Sequence, residues 1–237
     1  AIMNYVMGGS PFEFRNAVMT ILENYPKPSV DVLMNSISTH DIERAINILG
    51  GESCEGKDKD WMCNHWLNDR EYELGKNRMK CAMALQYFLP GVPCIYYGDE
   101  AGLCGYTDPD NRRTYPWGHE NVELIDLHRE LIRIHKDNPA IRNGSFTFLD
   151  SEDDLLCYAR FNREQQFIII VNNSNEEKTK KLNVLGAGVP VKCTLRQLIV
   201  TTDLGYSLMP QYYQVKESTV SVTIQKKSAV ILTTVQH

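Results

Sequence analysis

A chain of 237 residues, 43% hydrophobic and 23% charged, has an ordinary globular composition and the length for one large domain or two modest ones. Its formal net charge of −5 argues against a nucleic-acid surface, and no basic block offsets it, because Lys178, Lys180 and Lys181 stand beside Glu176 and Glu177. No apolar stretch approaches the ~20 residues of a membrane helix, and no signal peptide is visible. The chain opens on Ala rather than Met, so its native N-terminus is expected to lie elsewhere.

From the N-terminus, Ala1 to Val6 has strand-like character, and Phe14 to Tyr25 predicts a helix through Phe14, Val18, Ile21 and Leu22, ended by Pro26. Val30 to Ile37 reads as a buried strand closing on Ser38-Thr39-His40-Asp41. Gly50 to Lys76 is polar and is expected to be a loop with a short helix. Its Trp61 and Trp66 could stack on sugar rings, but the reading preferred here is that both anchor the loop. Asn77 to Leu89 predicts a helix apolar on most sides, stopped by Pro90-Gly91. Val92, Cys94, Ile95, Tyr96 and Tyr97 then form an apolar run, the pattern of a strand buried on both faces of a parallel sheet. Behind it comes a loop with Asp99, Glu100, Asp108, Asp110, Arg112 and Arg113, placed as a (β/α)8 barrel places its active-site loops.

Asn121 to Lys136 is an amphipathic helix by the spacing of Leu124, Leu127, Leu131 and Ile134, with His128 and His135 expected at the surface or at an interface. From Ser145 the grammar changes to short alternating segments: Phe146–Leu149, Leu155–Phe161, Phe167–Asn172, Lys181–Leu185, Val191–Leu195, Tyr212–Val215, Thr219–Ile224 and Ala229–Val235. They predict an antiparallel β-sandwich. The boundary falls near Arg142-Asn143-Gly144, giving domains 1–142 and 143–237. Seven cysteines, an odd number and several in apolar runs, fit reduced thiols of a cytoplasmic protein better than a disulfide framework. Cys54, Cys63 and His65 match no usual zinc spacing, so neither a metal nor another cofactor is expected.

Two blocks carry a resemblance. LPGVPCIYYGDEAGLCGYTDPDNRRTYPW resembles the eighth barrel strand and its loop in the α-amylase family of glycoside hydrolases, nearest the neopullulanase and cyclomaltodextrinase branch. VLMNSISTHDIER resembles the seventh strand and its His-Asp motif. The resemblance implies that residues 1–142 are the C-terminal portion of a (β/α)8 barrel, about strands six to eight, with Ala1 to Val6 as strand six. An antiparallel β domain follows. Strand six of the family runs at once into Pro-Phe-Arg, whereas here Met7-Gly8-Gly9-Ser10 precedes Pro11-Phe12-Glu13-Phe14-Arg15.

Three βα units in ~140 residues cannot close a barrel that needs ~250. The resemblance further implies that Asp41 is the third catalytic carboxylate, which grips sugar hydroxyls, and that His40 is its hydrogen-bonding neighbour. Asp108 and Arg112 would hold a sugar on the non-reducing side of the cleavage point. Ile42 stands where the family usually has Thr. Asp99 and Glu100 are read as polar support rather than a catalytic pair, because adjacent residues project apart.

The family's nucleophilic Asp and acid/base Glu have no match here. The parent is therefore expected to be a retaining hydrolase of maltooligosaccharides, pullulan or cyclodextrins, and this chain to be inactive alone, with open barrel edges that invite association. The alternative is an amylase-like module that only binds carbohydrate or a partner.

Overall fold

The computed structural model describes residues 1–149 and 155–235. The first six residues form helix α1 (Ile2–Val6), not the expected strand. Tyr5 and Val6 are buried, and the Tyr5 hydroxyl donates to the Val171 carbonyl at 2.7 Å while accepting from the Leu156 amide at 3.2 Å. These long-range bonds dock the segment on the β domain, where a helical turn aims Tyr5 and Val6 at one face. Tertiary packing overrides the local strand preference.

Helix α2 (Pro11–Asn24) is set by Ser10, whose hydroxyl accepts from the Phe12 amide at 3.1 Å, by Pro11 in the first turn, and by Glu13 near the positive end of the helix dipole. After α3 (Lys27–Val30), strand β1 (Met34–Ser36) lies parallel to β2 (Val92–Cys94), with Met34 opposite Val92 and Ser36 opposite Cys94. Between them come α4 (Ala45–Gly50), α5 (Lys59–Asn64) and α6 (Asp69–Phe88). Helix α6 opens on a reciprocal capping box between Asn68 and Glu71 and stops before Pro90.

The two strands are shorter and more exposed than expected. Val32, Met34, Val92 and Tyr97 are 68%, 74%, 46% and 42% exposed, so neither run is buried on both faces. Among the described residues β1 and β2 form a two-stranded sheet with no third strand paired to either, and a pair with two open edges leaves its apolar side chains in water.

Helices α7 (Val122–Asp137) and α8 (Pro139–Asn143) lead into the β domain. Its strands are β3 (Ser145–Phe148), β4 (Leu156–Phe161), β5 (Gln166–Asn172), β6 (Lys178–Asn183), β7 (Cys193–Thr202), β8 (Gly205–Ser207), β9 (Tyr212–Val215), β10 (Thr219–Ile224) and β11 (Ser228–Thr234). A large antiparallel sheet runs β3-β4-β5-β11-β7-β8, with β9 also on β7, and β6 pairs with β10 in a separate ribbon. One face of the sheet, with Tyr158, Phe167, Ile169, Val171 and Ile231, packs on α1, α6 and α7. The other, with Cys157, Ile168, Ile170, Val230 and Leu232, packs on Val220, Val222 and Leu182 of the ribbon. The whole is consistent with a partial (β/α)8 barrel followed by an antiparallel β domain.

All seven cysteines are free thiols; Cys81 and Cys157 are core residues, whereas Cys63 is exposed. The histidines of α7 overturn the surface expectation: His128 and His135 are 3% and 9% exposed. Each follows a stripe leucine or isoleucine by one position and widens the apolar face that α7 turns to α6. Nδ1 of His128 lies 2.9 Å from the Tyr87 hydroxyl, and Nδ1 of His135 donates to the Tyr87 carbonyl at 2.9 Å. Burial pushes the imidazole of His128 down to about 4.

The fold thus favours neutral His128. Its contribution is complete above the unfolded value of about 6.5 and is lost as pH falls through 6.5 towards 4, a loss on the order of 3 kcal/mol. In urea unfolding at stepped pH, the stability difference between wild type and His128→Gln should shrink by that amount across this window. Parallel pH curves would refute the assignment.

Candidate functional site

The site is built where the chain leaves the C-terminal ends of β1 and β2. After Ser36 the chain runs through Ile37 and Ser38, both buried, and emerges at His40 and Asp41. After Cys94 it passes through Tyr96 and Tyr97 into two 3-10 turns, Asp99–Ala101 and Asp110–Arg112. Gly98 and Gly102 flank the first turn at φ +87° and +71°, a conformation that glycine adopts without strain.

Beneath the surface a polar network ties the two segments together. Arg44 is fully buried; its Nε donates to the Asn111 carbonyl at 2.8 Å, and its Nη1 donates to the Tyr97 carbonyl and pairs with Asp99 at 3.3 Å. The guanidinium carbon lies 4.1 Å from the Tyr96 ring centre and 4.6 Å from that of Tyr97, so the rings take up charge that the hydrogen bonds do not. The Ser38 hydroxyl donates to the other oxygen of Asp99. Burial pushes the Asp99 carboxyl up to about 6 against the opposing pull of Ser38 and Arg44. Asn111, also buried, donates through its amide to the carbonyls of His40 at 2.9 Å and Ile42 at 2.7 Å.

The four residues singled out in the sequence sit on top of this network. His40 Nε2 is 3.3 Å from Asp41 Oδ1, and both side chains are solvent-exposed. Arg112 Nε is 3.0 Å from Asp108 Oδ1, and Nη2 of Arg112 donates to the His40 carbonyl at 3.3 Å. Arg112 thus joins the Asp108 turn to the His-Asp segment, 72 residues apart in sequence. Ile42, 42% exposed, takes part through its carbonyl, so that contact needs no hydroxyl at this position. Asp99 acts as the polar support expected of it.

Reading by motif passed over Arg44 and Asn111. No local signal marks either: an arginine beside a largely apolar stretch such as Ala45-Ile46-Asn47-Ile48-Leu49 usually keeps its guanidinium in water, and its burial here goes with the acceptors that the other loop supplies. Among the described residues no group of three or more His, Cys, Asp or Glu is arranged to hold a metal ion. Nor is any described helix long and apolar enough to cross a membrane.

No family model matches the chain. It is 34% identical over 143 residues to an amylopullulanase of Thermoanaerobacter thermohydrosulfuricus, an alignment covering 60% of this chain and 9% of that protein. It is 30% identical over 191 residues to a cyclomaltodextrinase of Geobacillus thermopakistaniensis, covering 74% and 29%. Among solved structures, the debranching enzyme of Nostoc punctiforme superposes with a TM-score of 0.72 at 25% identity, over 94% of this chain and 40% of that one. The chain therefore spans only a minor part of these relatives.

Removing Arg44 strands Asp99 in the interior. Arg44→Met should cost about 3–5 kcal/mol in urea unfolding, and adding Asp99→Asn should restore a large part of it. Additive losses in the double variant would show that the pair is not coupled.

Proposed function

The chain's curated relatives and structural neighbours place it in the α-amylase family of glycoside hydrolases over the part they cover, and from that premise we propose that it is the C-terminal portion of a retaining α-glucan hydrolase. The substrate class is maltooligosaccharide, pullulan or cyclodextrin, the class to which the names of the relatives point. In this reading residues 1–142 contribute barrel strands and loops, and 143–237 the β domain that packs beneath them. The observation that carries the proposal is the convergence on the His40 carbonyl. Asn111 and Arg112, from the loop after β2, both donate to it, which brings Asp108 and Arg112 to the same place as His40 and Asp41.

The chemistry follows from the residue types. An ionised Asp accepts hydrogen bonds only, so Asp41 suits a pair of sugar hydroxyls, and the imidazole N–H of His40 complements it as a donor. Held this way, hydroxyls beside the reacting carbon can be bound more tightly as the ring flattens towards an oxocarbenium ion, which selectively lowers the barrier. Asp108 and Arg112 form a second acceptor–donor pair that grips a sugar away from the reacting carbon. The nucleophile and the acid/base, which retaining hydrolysis requires ~5–5.5 Å apart, come from outside this chain, which is inactive alone.

In the full-length enzyme, Asp41→Asn should lower kcat on maltooligosaccharides about 10²–10³-fold, the scale for loss of a group that acts on the transition state. Asp108→Ala should act mainly through KM. Turnover by residues 1–237 alone, abolished by Asp41→Asn, would overturn the proposed division of labour.

A further inference from the structure

The two tryptophans of the loop before α6 have different surroundings. Trp61 is half-buried: its ring stacks on His65 at 4.1 Å between centres, 16° from parallel, and tilts against Tyr106 at 5.1 Å. It anchors the loop, as both were expected to do. Trp66 is 63% exposed. One face of its indole is covered by the guanidinium of Arg113, 3.7 Å from the ring centre. Arg113 is itself fixed by Asp110, with Nε and Nη2 2.7 and 2.6 Å from the same carboxylate oxygen. The other oxygen of Asp110 accepts from the Tyr106 amide at 2.7 Å.

An exposed ring usually rotates freely and loses entropy when it binds. Trp66 is backed by a cation whose own position is set by a buried carboxylate, which restricts the ring on that face and lowers the ordering cost of binding. Arg113 and Asp110 belong to the turn that presents Asp108 and Arg112. A further contact joins the two loops, the Thr107 hydroxyl lying 3.1 Å from the Met62 sulfur. A flat, preorganised, one-sided apolar plane of this kind, beside a carboxylate–guanidinium pair, matches the C–H face of a pyranose ring rather than an apolar partner surface.

We propose that Trp66, braced by Arg113, is a stacking platform for a glucose unit of an α-glucan lying beyond the unit gripped by Asp108 and Arg112. It would thereby select for longer chains. The inference rests on the α-glucan reading above. Stacking acts equally on ground and transition states, so it belongs in KM and not in kcat.

The test compares wild type, Trp66→Ala and Trp66→Phe of the full-length enzyme on maltoheptaose and on maltotriose, with maltoheptaose quenching of tryptophan fluorescence as a binding readout. For Trp66→Ala we expect KM on maltoheptaose to rise about three- to tenfold, with kcat and the maltotriose constants unchanged and most of the fluorescence quenching lost. Trp66→Phe should recover most of the affinity. Equal losses on both substrates, or none on either, would overturn the platform while leaving α-glucan hydrolysis standing. Wild-type enzyme that neither hydrolyses nor binds either glucan would instead overturn the underlying reading, and the platform with it. Thermal unfolding of each variant separates a folding defect from lost stacking, since Trp66→Phe keeps the Arg113 contact.

Discussion

The structure depends on a sheet that must be covered on both sides. Strand β5 reads Phe167-Ile168-Ile169-Ile170-Val171, and every residue from Gln166 to Asn172 is buried. Antiparallel sheets commonly leave one face to water and alternate accordingly. This strand does not alternate, because alternate residues enter two different cores. Helix α6 and its neighbours close one core, and the β6–β10 ribbon closes the other. Truncating such a side chain typically costs about 2–5 kcal/mol, so the helices and the β domain are bound into one cooperative body. Tyr5 and Arg160 add polar fastenings across the same junction: Arg160 donates to the Phe88 carbonyl at 3.4 Å and to that of Gly144 at 3.3 Å. The end of α6, fixed in this way, delivers Pro90, Gly91 and then β2, so the position of the site loop follows from packing on the opposite side of the helix.

A second constraint works locally. Burying Arg44 is unfavourable unless its donors are used, and the acceptors it uses, the carbonyls of Tyr97 and Asn111 and the carboxylate of Asp99, belong to the loop after β2. Nε and Nη1 are thus satisfied in one relative placement of the two loops, while Nη2 is buried without a hydrogen-bond partner. Asn111 repeats the logic in the other direction by donating to His40 and Ile42. The result is a rigid floor with exposed acid, base and guanidinium groups above it, the arrangement in which side chains bind a polar ligand at little cost in ordering.

Much of this was legible in the sequence where one physical rule dominated. Most strands from Ser145 onward, the stop at Pro90-Gly91 and the stripe of α7 follow from alternation or short apolar runs between turn residues, from proline chemistry and from helical spacing, whereas β8 (Gly205–Ser207) was not expected. Reading failed where distant contacts decide. The helix at Ile2–Val6 exists because Tyr5 reaches Val171 and Leu156, which no local pattern encodes. Strand β7 runs to Thr202 rather than ending at Leu195, because the inward-facing Gln197 and Thr201 disguise its alternation. Gln197 is satisfied by the Met209 carbonyl, and Thr201 accepts from the Ala229 amide. His40, Asp41, Asp108 and Arg112 were singled out by resemblance to motifs, and the structure brings them together. The floor beneath them, Arg44 and Asn111, required knowing which loops meet.

The exposed strands and the exposed site are two views of one circumstance. Met34 and Val92 are apolar side chains on a parallel pair, and parallel strands are stable in proteins with both faces covered and both edges paired. The proposed barrel supplies that cover: further parallel strands beside β1 and β2 would bury these side chains and raise a wall around His40 and Asp41. Water would then be displaced from the Asp41 carboxylate, and in its proposed role the hydrogen bonds it makes to a polar ligand would strengthen in the lower dielectric as the barrel closes. On this argument the packing that completes the hydrophobic interior of the barrel is the same event that activates its polar rim.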